Sequence, residues 1–309
     1  MGRLEEMQAY LGTAEAQSFT GAAQRLGLSK SMVSQRVADL EARLGVRLLN
    51  RTTRRLSLTE AGQAFLEGCR SALREVEEAE EAASRHGNEL RGTLRIAAPL
   101  SFALLHLLPA MLDFMTAHPQ LEVYLDMDDR VVDLIQGGYD MALRIGRLAD
   151  SSLIARRLAP MRNVVCASPA YLVERGRPAH PADLARHECL LYTGTARPDT
   201  WSFQIDGQWT AIQVHGRLQA NNGDMLLSAA IAGYGIAQLP SFIVGTSLER
   251  GELTCLLHDF PIQEGAIHAI YPPARQVSRR VRAFSDFLVE RIGKNPYWDR
   301  FLPPLPAGH

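Results

Sequence analysis

Ser18-Phe-Thr-Gly-Ala-Ala-Gln-Arg-Leu-Gly-Leu-Ser-Lys-Ser-Met-Val-Ser-Gln-Arg-Val-Ala-Asp-Leu-Glu-Ala-Arg-Leu-Gly45 reads as two helices set against each other across Gly27. At about 100° per residue, Val33, Val37, Leu40 and Leu44 share one narrow face, a core stripe. Ser31, Ser34, Gln35 and Ala38 fall opposite. Side chains that small or polar let a helix approach another surface and bond base edges and phosphates. Ser29 is a candidate N-cap, and the N–H groups at that helix start, beside Lys30, suit a phosphate. Thr20 to Leu26 reads as a shorter helix stopped by Gly27, the geometry of a helix-turn-helix. Antiparallel helices also pack for purely structural reasons, so the pair alone leaves both readings open.

The next stretch separates them. Asn50-Arg-Thr-Thr-Arg-Arg-Leu-Ser-Leu58 alternates poorly as a core strand but well as a hairpin with arginines at its tip, a wing. From Arg25 to Arg55 there are eight Lys or Arg against two Asp or Glu, an excess of six in a chain whose formal net charge is −1. A basic excess confined to one module is the footprint of phosphate contact. The candidate DNA-contacting residues are Ser29, Lys30, Ser31, Ser34, Gln35, Arg36, Arg51, Thr52, Arg54 and Arg55.

Composition narrows the alternatives. With 309 residues, 46% hydrophobic and 22% charged, the chain is long enough for two or three compact units. Glu5 and Glu6 stand where a signal peptide would be positive, and no apolar run is expected to reach membrane-spanning length, which points to the cytoplasm. Cys69, Cys166, Cys189 and Cys255 show no CxxC spacing and are expected to be buried structural thiols. No HExxH, P-loop, G-x-S-x-G or complete G-x-G-x-x-G occurs, and the nine histidines lack ligand spacing, so no catalytic residue, cofactor or metal is expected. The alternative reading is a cytoplasmic two-lobed small-molecule-binding protein or enzyme whose helix-turn-helix is only a structural helix pair.

Beyond the wing, Thr59 to about His86 reads as one helix. Apolar or small residues at Gly62, Leu66, Cys69, Leu73, Val76 and Ala83 follow alternating four and three steps, and Leu66, Cys69, Leu73 and Val76 are the candidate dimerisation seam. A helix packed on its own domain shows the same period. About 28 residues at 1.5 Å each make a rod of roughly 40 Å. From Arg91 onward strands alternate with helices. Strands are expected at Thr93 to Ala98, Leu121 to Met127, Met141 to Ile145, Arg162 to Ala167, Gly235 to Leu239 and Ala266 to Tyr271. Helices are expected at Ser101 to Ala117, Asp224 to Ala232, Ser241 to Arg250 and Val277 to Ile292. This implies parallel sheets under covering helices.

In such sheets ligands bind beyond strand carboxyl ends, near helix N-termini. The candidate effector-binding residues are Leu100, Ser101 and Phe102 at one junction, Cys166 and Ser168 at another, Asn221 and Asn222 before a helix, and Arg144 at a strand end, where its guanidinium can take a carboxylate bidentately. Ser101 and Ser168 equally suit helix caps, and Arg144 an interlobe ion pair. The Pro-rich tail with Tyr297, Trp298 and Phe301 either docks on a lobe or stays mobile.

Ser18-Phe-Thr-Gly-Ala-Ala23, Leu26, Val33-Ser34, Leu40-Glu41, Leu44-Gly45, Arg51 and Leu58-Thr-Glu-Ala-Gly62 resemble the N-terminal signature of LysR-type transcriptional regulators. Ala98-Pro-Leu-Ser101, His118-Pro119, Tyr139-Asp-Met-Ala-Leu-Arg144, Ala167-Ser-Pro-Ala-Tyr-Leu172, Ala232-Gly-Tyr-Gly-Ile-Ala237 and Leu239-Pro240 are similar to that family's effector-binding domain. The sequence departs from the pattern at Leu49, where many members carry Phe, and at Ser31-Met32, where many have Pro-Ala. The resemblance implies an α/β chain with an N-terminal winged helix-turn-helix over 1–58 and a dimerising linker helix over 59–91. After these it implies a two-lobed α/β domain like periplasmic solute-binding proteins over 92–293, with lobe I about 92–163 and 268–293 and lobe II about 164–267, and a tail over 294–309. It further implies promoter DNA, a small-molecule effector (a carboxylate or an aromatic metabolite) and RNA polymerase as partners, a homodimer or dimer of dimers, and a place on the nucleoid.

Overall fold

The computed structural model describes residues 2–51, 56–83, 89–130, 132–148, 153–272 and 277–304. The chain folds as two compact units, Met1–Asn88 with Ile135–Gly138, and Glu89–Leu134 with Tyr139–His309.

The first unit is built on three helices, α1 (Arg3–Ala16), α2 (Phe19–Leu26) and α3 (Lys30–Leu44). Ser18 caps α2 by accepting from Gly21 N, and Ser29 caps α3 by accepting from Met32 N. Gly27 and Gly45 end the two helices with φ of 64° and 72°, a conformation that costs glycine nothing. β1 (Leu49–Arg51) and β2 (Leu56–Leu58) pair antiparallel, with Asn50 opposite Ser57. The hairpin tip, with Thr52, Arg54 and Arg55, lies outside the described residues. α4 (Glu60–Ala83) follows. Gly62 is dictated by close approach, since a Cβ there would stand 2.0 Å from the Leu48 carbonyl oxygen, while Tyr10 Oη donates to Gly62's own carbonyl.

After α4 the chain runs through β3 (Gly92–Ala98), α5 (Leu100–Phe102), a π turn over Ala103–Leu107, α6 (Leu108–Ala117), β4 (Leu121–Met127), a single turn α7 (Leu134–Gly137) that belongs to the first unit from Ile135 on, β5 (Met141–Gly146) and β6 (Ile154–Met161). Then come β7 (Asn163–Ala167), α8 (Pro169–Arg175), β8 (Cys189–Tyr192), β9 (Thr200–Ile205), β10 (Gln208–Gln213), β11 (Gln219–Ala220) and α9 (Gly223–Ile231). β12 (Ile236–Pro240), α10 (Ser241–Glu249), β13 (Thr254–Leu256), β14 (Gly265–Tyr271) and α11 (Arg279–Ile292) complete it. The strands form two five-stranded sheets, ordered β4-β3-β5-β14-β6 and β11-β8-β12-β7-β13. We call the first sheet with its helices lobe I and the second lobe II. One apolar cluster links both, with Leu94, Ile96, Phe102 and Phe284 from lobe I against Val164, Leu226, Ala237 and Val244 from lobe II.

Several expectations are corrected. The sheets are mixed, since β14 runs antiparallel to β5 and β6, and β7 antiparallel to β12 and β13. These antiparallel neighbours lie far apart in the chain, since β14 follows β5 and β6 only after all of lobe II, so no βαβ crossover sets their direction. The β9–β10 hairpin is an element absent from the sequence-based expectations, although Asp206-Gly207 is a strong turn signal. Asp206 and Gly207 adopt φ of 51° and 78°, as a two-residue type I′ turn requires. Finally, Leu100–Ala117 is a helical run of 18 residues that is long and apolar enough to cross a membrane by length and composition. Its inner face, Phe102, Ala103, Leu107, Ala110 and Phe114, packs in the core, and the run reads as a core helix.

Candidate DNA interface and effector cleft

α3 turns Val33, Val37 and Leu40 into the first unit's core and leaves Ser29, Lys30, Ser31 and Gln35 exposed, with Ser34 and Ala38 half-buried beside them. Ser29 and Ser31 share a hydroxyl–hydroxyl bond of 2.9 Å, and Gln35 Nε2 donates to Asp39 one turn on. Arg36 does not join this face. Its side chain is 15% exposed and its Nη2 lies 3.4 Å from Glu5 Oε2, so it ties α3 to α1. Arg43 does the same with Glu6 at 2.9 Å. Glu41 accepts from the backbone N–H groups of Leu48 and Leu49 at 2.8 and 3.0 Å, which fixes the wing's first strand to the end of α3. Arg51 ends that strand.

Three of the four residues expected to form a dimerisation seam face their own subunit's core. Leu66, Cys69 and Leu73 are buried in their own subunit's core with Ala9, Tyr10, Val37 and Leu40, and Cys69 Sγ donates to the Met7 carbonyl. Val76 is half-buried. The periodicity is that of a helix packed on its own domain. The open face of α4 carries Ala61, Ala64, Gly68 and Ala79, and a Cβ on Gly68 would meet nothing within 4 Å.

In the second unit, the strand-to-helix junction after β3 is filled by the chain's own carboxylates. Leu100 N donates to Asp129 Oδ1 at 3.0 Å, and Ser101 Oγ donates to Asp224 Oδ2 at 2.6 Å. Ser101 belongs to lobe I and Asp224 to α9 of lobe II, so this bond closes one lobe on the other. Ser101 is thus neither a cap nor a free ligand donor, while Ser168 is a cap, accepting from Tyr171 N. Phe102 and Cys166 are wholly buried in the core. Asp129 and Asp224 are carboxylates at this junction that sequence reasoning does not pair with Leu100 and Ser101. The pattern places Asp224 at a helix start, but nothing local tells which distant hydroxyl that carboxylate accepts from.

Two candidate residues keep free donors. Arg144 is half-buried at the end of β5, and its Nε and Nη2 have no hydrogen-bond acceptor. Asp128 lies near enough to act on it electrostatically, but that carboxylate is gripped by Arg130. Desolvation lowers the Arg144 pKa and the Asp128 charge opposes this. Asn222 caps α9 through Oδ1, leaving its Nδ2 buried without a partner, and Asn221 is exposed. Buried donors without acceptors are uncommon and costly.

A helix-turn-helix with a hairpin wing, followed by a long helix and a two-lobed α/β unit, defines a ligand-responsive DNA-binding regulator. Residues 4–63 match the description "Bacterial regulatory helix-turn-helix protein, lysR family", and residues 87–293 match "LysR substrate binding domain". The chain belongs to the LysR family of transcriptional regulators. It is 38% identical over 294 residues to the HTH-type transcriptional regulator PtxR of Pseudomonas aeruginosa, covering 95% of this chain and 94% of that one. It is 37% identical over 301 residues to the HTH-type transcriptional activator AaeR of Escherichia coli, covering 95% and 96%. Among solved structures, the LysR-type regulator CrgA of Neisseria meningitidis matches with a TM-score of 0.61 at 34% identity over 93% of this chain and 97% of that one. The full-length virulence activator AphB of Vibrio cholerae matches with a TM-score of 0.59 at 28% identity, covering 94% and 99%.

Proposed function

We propose that this regulator reads promoter DNA with Lys30, Ser31, Ser34 and Gln35 of α3, helped by the capped turn at Ser29. The wing residues Arg51, Thr52, Arg54 and Arg55 hold the phosphates. Its effector is a small organic carboxylate bound between the lobes. The subunits assemble as a homodimer or dimer of dimers, and the small-residue face of α4 supports one contact between copies. The protein acts in the cytoplasm on the nucleoid, catalyses no reaction, and passes its signal to RNA polymerase.

The observation that carries the effector class is Arg144, whose two donors lack acceptors at the carboxyl edge of the lobe I sheet. An incoming carboxylate satisfies both at once, whereas a neutral aromatic leaves the desolvation unrelieved. The test is a melting series of the full chain with aromatic and aliphatic carboxylates and their matched neutral amides. Carboxylates should raise the melting temperature, and Arg144→Met should weaken binding by about ten- to a hundredfold, the loss of a charge-assisted bond. Amides as effective as acids, or an unchanged Arg144→Met, would overturn the assignment.

A further inference from the structure

Cys166 on β7 and Cys255 on β13 are far apart in sequence and directly opposite in the antiparallel ladder. The Cys255 carbonyl is taken by Arg177 Nη2 at 2.9 Å, at the outer edge of the sheet, so the ladder bonds run through the flanking pairs Thr254–Ala167 and Leu256–Val165. Cys166 and Cys255 therefore form the non-hydrogen-bonded kind of pair, in which Cα atoms stand about 4.5 Å apart with both side chains on one face. That lies within the roughly 4.4–6.8 Å that a disulfide spans. Both thiols also pack against the same apolar cluster, whereas Val165, Ala167 and Leu256 face the other side of the sheet.

The two thiols differ in access. Cys166 is wholly buried, while Cys255 is partly exposed in a groove it shares with Arg162, Leu302 and Pro303. Burial raises the Cys255 pKa, and the guanidinium groups of Arg162 and Arg177 pull it back. The other two cysteines lack this arrangement. Cys69 and Cys189 are buried, each pushed up to about 12 by desolvation, and Cys189 stands opposite Ile236.

The geometry points to a two-electron redox site in lobe II, in which Cys255 meets a hydroperoxide and Cys166 resolves it to a disulfide within the subunit. The Cys255 thiolate attacks the terminal peroxide oxygen. An S–O bond forms as the O–O bond breaks, and the departing oxygen takes a proton to leave as alcohol or water. The Cys166 sulfur then attacks the sulfenic sulfur. An S–S bond forms, the S–O bond breaks, and hydroxide leaves with the Cys166 proton as water. The peroxide is reduced by two electrons, and edge strand β13 becomes covalently tied to β7.

The test exposes the full chain to one equivalent of hydrogen peroxide, alkylates the remaining thiols, and maps peptides without reductant. The expected product is about 2 Da lighter, the two thiol hydrogens, with the Cys166 and Cys255 peptides joined and released by dithiothreitol. Cys255→Ser should abolish the link, and Cys166→Ala should stop Cys255 at a sulfenic acid that dimedone traps. Because Cys166→Ala hollows the core, wild-type mapping and Cys255→Ser decide the matter if that variant fails to fold. Peroxide that leaves both thiols alkylatable, or oxidises Cys255 while Cys166 stays free, would overturn the assignment.

Discussion

The two ends of this chain handle charge in opposite ways. In the first unit, arginines on the inner side are neutralised locally, Arg36 by Glu5, Arg43 by Glu6 and Arg70 by Glu15, and the polar edge of α3 is left uncovered. The proposed DNA-reading edge therefore carries exposed polar side chains at Ser29, Lys30, Ser31 and Gln35. In the second unit, the chain's own carboxylates fill the donor positions a ligand would want, Asp129 at Leu100 N and Asp224 at Ser101 Oγ, while Arg144 and Asn222 keep free donors. There, the proposed effector site adjoins a contact that joins two lobes. A ligand that competes for that contact has different affinities for the closed and opened arrangements, which is what an effector needs in order to shift a population.

The strongest way to break this comparison is Leu73→Glu. A carboxylate placed at a residue buried in the first unit's own core should cost about 3–5 kcal/mol and melt that unit. Trp201, Trp209 and Trp298 all belong to the second unit. Helical circular dichroism should therefore fall at a temperature where tryptophan fluorescence is still native. The control is Gly68→Glu on the open face of α4, which should leave both signals intact and lower only the oligomeric mass. A stable Leu73→Glu monomer would restore the seam on that side of the helix.

Asp224 sharpens the second half. Ser101→Ala deletes one hydrogen bond to a charged group, worth about 1.5–3 kcal/mol. Ser101→Asp goes further, since it sets two carboxylates against each other where a bond of 2.6 Å had been. Of the two, Ser101→Asp should have the lower melting temperature, and Asp224→Asn should rescue it in part. A helix cap predicts the reverse order, because Asp caps well and Ala does not. Effector titrations of Ser101→Ala then tell whether the interlobe bond opposes binding: if so, affinity rises when the hydroxyl is lost.

What is legible in the sequence follows from range. The phase of Val33, Val37 and Leu40, the caps at Ser18 and Ser29 and the glycines that end α2 and α3 all act within a few residues, and a reading of neighbours finds them. Cys166 and Cys255 are joined only by the sheet order, and Ser101 and Asp224 only by the packing of one lobe on the other. Ser101 and the cysteines stand out in the chain, but their pairing does not. α4 shows a subtler limit. Period fixes which residues are apolar on one face, and Leu66, Cys69 and Leu73 share that face whether it covers a partner helix or α1. Only the tertiary contacts of Tyr10 and Met7 decide.

The tail supplies the smallest and most specific effect. Trp298 is buried against Phe102 and Phe242, with ring centroids 6.0 and 6.4 Å apart, so the segment docks across both lobes. His106 from the π turn completes the contact, with Nδ1 2.5 Å from Tyr297 Oη and Nε2 2.9 Å from the Phe242 carbonyl. A carbonyl can only accept, so Nε2 carries the ring proton and Nδ1 accepts from Tyr297. Burial holds the His106 pKa below its ordinary value, with the Phe242 carbonyl opposing. The unfolded chain therefore binds a proton below about pH 6.5 that the folded chain refuses. Stability from this group is complete above that pH and declines as pH falls through it, down to the folded-state pKa. His187 and His268 are also lowered by burial and add to the same slope. Tyr297→Phe isolates the part due to His106, because it keeps the ring and removes the donor that satisfies Nδ1. With Nδ1 free to take a proton, the folded pKa rises, and the fall in melting temperature between pH 7 and 5 should be shallower than in the native chain. An identical slope would mean that His106 does not titrate with the docking of the tail.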